Sequence, residues 1–229
     1  DAGNSKRYHN LFGVTLGTGF GGGIVTRDGL LIGDNSAGGE VNRTRNRTFK
    51  NWDVEESVSI RGIKREYANN TGINMASCPE PKEIFEIATG KIKGNKEAAQ
   101  KAFDAFGRDA ADAIANAITL IDGLVVIGGG LSGAYPVFLP GLVEEMNKPF
   151  ETMSGQPLDR MEVTAFNLES EEGLKSFLTS GSLTIRVPFS DKLLNFDPAK
   201  KIGVGISRLG TSRAVSVGAY AFALNKLSQ

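Results

Sequence analysis

Gly17-Thr18-Gly19-Phe20-Gly21-Gly22-Gly23 follows the apolar run Phe12-Gly13-Val14-Thr15-Leu16 and leads into Ile24-Val25, the Arg27-Asp28-Gly29 turn and Leu30-Leu31-Ile32. That order predicts strand, glycine bend, strand, tight turn, strand. Glycine has no Cβ, so such a bend can adopt positive φ and set backbone N–H groups against an anion. Thr18 adds a hydroxyl beside those amides. The expected site is therefore a phosphate cradle inside a β-hairpin. A P-loop is excluded because no Lys-Ser/Thr pair follows the last glycine, and a dinucleotide fingerprint is excluded because no helix opens in the glycine run. The same residues also suit a glycine-rich hairpin with no ligand.

The 229 residues fit one large domain or one lobe of a two-lobed protein, and 40% hydrophobic content supports a core. Basic and acidic residues balance at 26 each. This removes the main electrostatic argument for nucleic acid as a partner. No long apolar span or basic amphipathic helix points to a membrane. One cysteine, Cys78, and one histidine, His9, cannot build a Cys/His zinc site or an internal disulfide. The compartment expected is the cytoplasm. Asn42-Arg43-Thr44 and Asn46-Arg47-Thr48 match the glycosylation sequon, read here as chance matches in a polar loop over residues 34–53.

Further along, Asp53 is a candidate helix N-cap with Glu56 as its capping-box partner, and Gly72 closes that helix. A short helix is expected from Pro81 to Gly90. Asn95 opens a long one, whose alanines, phenylalanines and isoleucines recur at three- and four-residue steps as far as Ile121, with Gly123 ending it. Leu124-Val125-Val126-Ile127 then reads as a buried strand running into Gly128-Gly129-Gly130. Ligands sit beyond the carboxyl ends of such strands. A helix over 136–147, strands at 161–166 and 183–187, an exposed charged stretch at 169–175, an apolar run at 202–206 and a last helix from Thr211-Ser212 complete the reading.

Two glycine bends after strands, with a long Ala-rich helix before the second, resemble the ROK family (repressors, open reading frames and sugar kinases) of the actin-like ATPase superfamily. The matching residues are Leu16-Gly17-Thr18-Gly19-Phe20-Gly21-Gly22-Gly23-Ile24-Val25, Ala37-Gly38-Gly39-Glu40, Val54-Glu55-Glu56-Ser57-Val58-Ser59, Ile127-Gly128-Gly129-Gly130-Leu131 and Val217-Gly218-Ala219-Tyr220-Ala221. The resemblance implies an α/β fold: a ribonuclease H-like, actin-like ATPase lobe with a mixed central sheet flanked by helices. It implies that Gly17, Thr18 and Gly19 face the nucleotide β- and γ-phosphates, and that Gly128, Gly129 and Gly130 lie on the adenosine side. It implies that Glu40 and Glu55 bind sugar hydroxyls, since a carboxylate accepts from two hydroxyls at once. Glu40 also reads as a solvated loop acid, Glu55 as a helix N-terminal charge, and Glu56 as the sugar contact one register on.

The implied activity is ATP- and Mg²⁺-dependent phosphorylation of a hexose or amino sugar, as in a glucokinase-like kinase; the alternative is a sugar-sensing transcriptional regulator. Partners implied are the sugar, an N-terminal lobe carrying the catalytic Asp and a first phosphate loop, and a second copy in a homodimer. No base is assigned within these residues, and Asp1 stands too close to the first strand to be it. The family often has a zinc cluster beside the sugar site. Asn42 and Arg43 stand where its histidine is expected, so packing or hydrogen bonds must hold the loop instead, with Arg43, Arg45 or Trp52 as candidates.

Overall fold

Alternating burial builds the first strand of the computed structural model, which describes residues 8–179, 181 and 183–227. In β1 (Leu11–Leu16), Phe12, Val14 and Leu16 face the core while Gly13 and Thr15 turn away. β2 (Phe20–Thr26) returns antiparallel with Leu16 opposite Phe20. β3 (Gly29–Leu30) follows a turn that Gly29 closes at φ +113°, and it is shorter than the expected 30–32.

The helix expected directly after Asp53 begins later. Asp53 does accept from the Glu56 amide, but it caps only a 3₁₀ turn over Val54–Glu56. The Glu56 side chain turns to Arg61 instead of back to the cap, so no capping box closes. Ser59, accepting from the Gly62 amide, then opens α1 (Ile60–Thr71), and Gly72 ends it at φ +74°. α2 (Pro81–Ala88) carries proline in its first turn. α3 (Lys96–Ile121) is capped by the Asn95 side chain on the Ala98 amide. It ends at Asp122, itself in the left-handed region, rather than at Gly123. Gly123 answers to crowding: a Cβ there would lie 2.6 Å from the Asn10 carbonyl oxygen.

β4 (Leu124–Gly128) pairs parallel with β1, placing Thr15 opposite Gly128. α4 (Tyr135–Asn147) packs on α3, with Phe106 and Phe138 edge to face at 5.4 Å. Beyond it come a small hairpin of β5 (Phe150–Glu151) and β6 (Pro157–Leu158), then β7 (Thr164–Asn167) and α5 (Glu171–Leu178). β8 (Leu183–Arg186) and β9 (Leu193–Phe196) form a second hairpin before β10 (Lys201–Ile206) and α6 (Thr211–Leu227). The stretch expected to be charged and exposed at 169–175 is mostly α5, capped by Ser170 with Glu171 and Glu172 in its first turn. Glu169 is nearly buried, accepting from the Ile206 amide and from Arg208.

The sheet runs β3-β2-β1-β4-β10-β7. β1, β4, β10 and β7 are parallel neighbours and β2 and β3 antiparallel. The result is a mixed α/β architecture, a central sheet flanked by helices. The sheet residues Phe12, Leu16, Ile127 and Val204 share one core with Phe103, Phe106 and Ile114 of α3.

Candidate nucleotide and sugar site

Because β1 and β4 are parallel neighbours, the bends leaving their carboxyl ends emerge side by side. An ideal Cβ on Gly17 would stand 3.9 Å from the Gly130 amide nitrogen. The Leu131 amide donates to the Leu16 carbonyl at 2.9 Å, and the Ser132 hydroxyl to the Gly129 carbonyl at 2.7 Å. Gly129 has φ +92°, and a Cβ there would collide with the Leu16 main chain. Gly17 donates its own amide to the Gly19 carbonyl at 3.0 Å. The amides of Thr18, Gly19 and Gly130 have no hydrogen-bond acceptor among the described residues. Thr18 is exposed at the apex. Unpaired main-chain donors at adjoining bends are the groups an anion site requires.

The reason for glycine differs between the bends. Of the six glycine and threonine positions named from the sequence, only Gly129 has positive φ. At Gly19 the cause is crowding, because the Glu55 carboxylate occupies the space a Cβ needs. Gly21 and Gly22 are likewise crowded, by the Thr15 hydroxyl at 2.6 Å and the Gly39 carbonyl at 2.5 Å.

A cavity of about 340 Å³ opens beside the second bend. Gly130, Leu131, Gly133 and Ala134 form one wall; Pro81, Lys82, Phe85 and Glu86 of α2, with Lys91, form the other. Its size suits a small ligand, and an apolar wall with cations at the rim suits a planar base joined to phosphates. The α2 residues carry no motif, so the sequence pointed only to the glycine side.

Glu55 is built into the first bend. One carboxylate oxygen accepts from the Phe20 amide at 2.9 Å and the other from Arg61 at 3.3 Å. Arg61 also pairs with Glu56 at 2.8 Å and reaches the Thr18 carbonyl at 3.4 Å. The Arg61 hydrogen bond holds the Glu56 carboxyl below its usual range, and Glu56 in turn raises Arg61. Arg61 is a site residue that the sequence did not single out. Glu40 sits at the start of a 3₁₀ turn over Val41–Arg43, exposed, its carbonyl accepting from the Arg43 amide at 3.1 Å and its carboxylate without a hydrogen bond or ion pair among the described residues. Both turns lie against the same end of β2: Gly39 packs on Gly22, and Phe20 holds Glu55. Asp1 lies outside the described residues.

The family's zinc does not fit these residues. Among the described residues no three His, Cys, Asp or Glu side chains cluster as a metal site. Cys78 is buried with its thiol donating to the Lys64 carbonyl, and burial raises its pKa. No helix among the described residues is long and apolar enough to cross a membrane.

The ROK family model matches residues 1–174. An N-acetyl-D-glucosamine kinase of Photobacterium profundum is 32% identical over 143 residues, covering 54% of this chain and 44% of its own. The crystal structure of a glucokinase from Parabacteroides distasonis superposes with a TM-score of 0.87 at 49% identity, covering 98% of this chain and 60% of that one. A Streptomyces griseus ROK glucokinase in complex with glucose and AMPPNP shares the fold, with a TM-score of 0.52 at 23% identity over 63% of this chain and 52% of that one. The 229 residues thus span about half the length of the curated relative and three fifths of the first structure.

Proposed function

The chain belongs to the ROK family, and from that premise we propose that it is the C-terminal, nucleotide-binding lobe of an ATP-dependent sugar kinase. The observation that supports this reading is the pair of adjoining bends with unpaired amides at Thr18, Gly19 and Gly130, the second of which lines the cavity beside α2 through Gly130. In this reading Gly17, Thr18 and Gly19 hold the terminal phosphates, and Gly128, Gly129 and Gly130 let the adenosine approach main chain. Pro81 and Phe85 would cover the base, and Lys82 and Lys91 would offset phosphate charge. Backbone donors suit this work because they are fixed before the nucleotide arrives.

Phosphoryl transfer needs positioning, charge neutralisation and a base for the attacking hydroxyl. The ATP phosphates carry Mg²⁺, which usually takes only one or two protein carboxylates. Glu40 and Glu55 are proposed to bind the sugar. The substrate class is a hexose or amino sugar, consistent with the relatives named as N-acetyl-D-glucosamine kinase and glucokinase. Glu55 touches both proposed ligands' seats, because its carboxylate accepts from Phe20 and fills the space over Gly19. Sugar contacts there would reach the phosphate bend through one side chain.

The base is proposed to come from an N-terminal lobe outside these 229 residues. Two facts support that lobe: the relatives are longer, and α6 exposes apolar side chains along its whole length. A coupled kinase assay tests the proposal. The full-length protein is expected to phosphorylate at least one member of a hexose and amino-sugar panel with ATP and Mg²⁺. The 229-residue chain alone is expected to bind ATP analogues without turnover. Robust turnover by the chain alone refutes the division of labour, and failure of the full-length protein on the whole panel refutes the kinase.

A further inference from the structure

The segment between Glu40 and Glu55 is a miniature hairpin rather than an open loop. Val54 donates its amide to the Thr44 carbonyl at 2.9 Å, Arg45 bridges to Asp53, and the Asn46 amide donates to the Trp52 carbonyl at 3.0 Å. Each leg of the hairpin therefore runs into one of the two 3₁₀ turns that carry Glu40 and Glu55. Whatever fixes the hairpin fixes the spacing of the carboxylates.

Asn46 sits at its centre and is 1% exposed. Its Oδ1 accepts the Thr48 and Phe49 amides, both at 2.9 Å. Its Nδ2 donates to the Asp53 carbonyl at 3.2 Å and to the Ser57 hydroxyl at 2.7 Å. Four bonds fill the whole capacity of an amide side chain. Two of them close the hairpin tip, and the other two bracket the Glu55 turn, at Asp53 before it and Ser57 after it. Arg65 of α1 clamps the same unit from outside. Its guanidinium lies 4.8 Å from the Phe49 ring centre and 5.0 Å from that of Trp52, rings which stack at 4.4 Å. It also donates to the Glu56 carbonyl at 2.9 Å and to the Ser57 hydroxyl at 3.3 Å. The far side is tied to the helices by Thr48 on Asp109 and Arg47 on Glu145.

We propose that Asn46, clamped by Arg65, is the positioning residue that holds Glu40 and Glu55 in register, doing with an amide and a cation–π stack what a metal ion would otherwise do. The inference rests on the kinase reading above and adds residues to it. An ion enforces geometry by binding several side chains at one point. Asn46 does the same from a single buried point, with four directed bonds that tie the hairpin tip to the Glu55 turn. Neither residue meets the nucleotide bends directly, and Glu55 alone links the two seats, so their loss should register far more on the sugar than on ATP.

The test uses the full-length protein in the coupled assay. Asn46→Ala is expected to raise the sugar KM by about tenfold or more, the scale of one buried hydrogen-bonding unit, with the ATP KM within about twofold. Asn46→Asp, which keeps the Oδ1 contacts and loses the Nδ2 donors, is expected to fall between. Treatment of the wild type with 1,10-phenanthroline, which leaves Mg²⁺ in place, is expected to change neither constant. Should Asn46→Ala fail to fold by circular dichroism, Arg65→Met carries the same expectation. An unchanged sugar KM in the folded variant, equal loss on sugar and ATP, or a phenanthroline-sensitive sugar KM each overturns the inference while leaving the kinase standing. A wild type with no sugar turnover overturns the kinase reading and this inference together.

Discussion

α3 and α6 are both long, alanine-bearing helices, and they stand at opposite extremes of burial. α3 buries thirteen of its residues, among them Phe103, Phe106, Ile114 and Ile118. α6 buries none, leaving Val215 at 67%, Tyr220 at 74% and Leu224 at 63% exposed. The difference lies in how the apolar residues are arranged. In α3 they form one stripe, which the sheet and α1, α2 and α4 cover. In α6, Val215 and Phe222 fall on one face and Val217, Tyr220, Leu224 and Leu227 on the opposite one, with Ala214, Ala219, Ala221 and Ala223 between them. A helix that is apolar all round belongs inside a larger protein. Its C-terminal end meets the hairpin of β2 and β3, where Phe222, Asn225 and Lys226 line a groove with Asp28 and Leu30. The comparison therefore supports the proposed second lobe from physical chemistry, independently of any relative's length.

The largest effect expected is in α3. Phe106→Ala should cost about 3–5 kcal/mol, the scale for emptying a buried aromatic site, read by urea unfolding of the 229-residue chain. A loss near zero would mean that the core is not where the fold puts it. The next prediction concerns α6. Tyr220→Asp should change the stability of the 229-residue chain by less than about 0.5 kcal/mol, as for an exposed site. In the full-length protein the same change should cost about 2 kcal/mol, because it buries a charge without a partner. Equal effects in both proteins would erase the contrast between the helices.

The smallest effect belongs to the half-exposed Glu56–Arg61 pair, between those extremes. Glu56 is held below its ordinary value of 4.5, so its stabilising contribution is complete above that value and disappears as pH falls through the lowered one. Glu56→Gln should therefore cost under about 1 kcal/mol at neutral pH, the range for solvent-screened pairs, and nothing at pH values below the folded-state titration. A cost that grows on acidification would reverse the sign of the argument.

Local chemistry made the first half of the chain legible. Gly29, Gly72 and Asn95 do at their positions what turn, C-cap and N-cap residues do anywhere. The two glycine bends were readable because each follows a strand, and parallel pairing of β1 with β4 brings them together. Long-range partners hid the rest. Two good capping residues, Asp53 and Ser59, compete for one helix start, and the destination of the Glu56 side chain decides between them. β10 inserts between β4 and β7, an order that no local pattern records. Asn46 reads in sequence as one more polar loop residue, and only the fold shows its four bonds. Of the residues offered from the sequence to hold that loop, Trp52 joins the stack under Arg65, Arg43 pairs with Asp53 at 3.5 Å, and Arg45 contributes its main-chain bridge.

The most direct test follows the backbone amides by nuclear magnetic resonance as a non-hydrolysable ATP analogue with Mg²⁺ is added. The account predicts that Thr18, Gly19 and Gly130 shift together at one common affinity, accompanied by the α2 residues Lys82 and Phe85. Saturable nucleotide binding that leaves those three amides unmoved would contradict it.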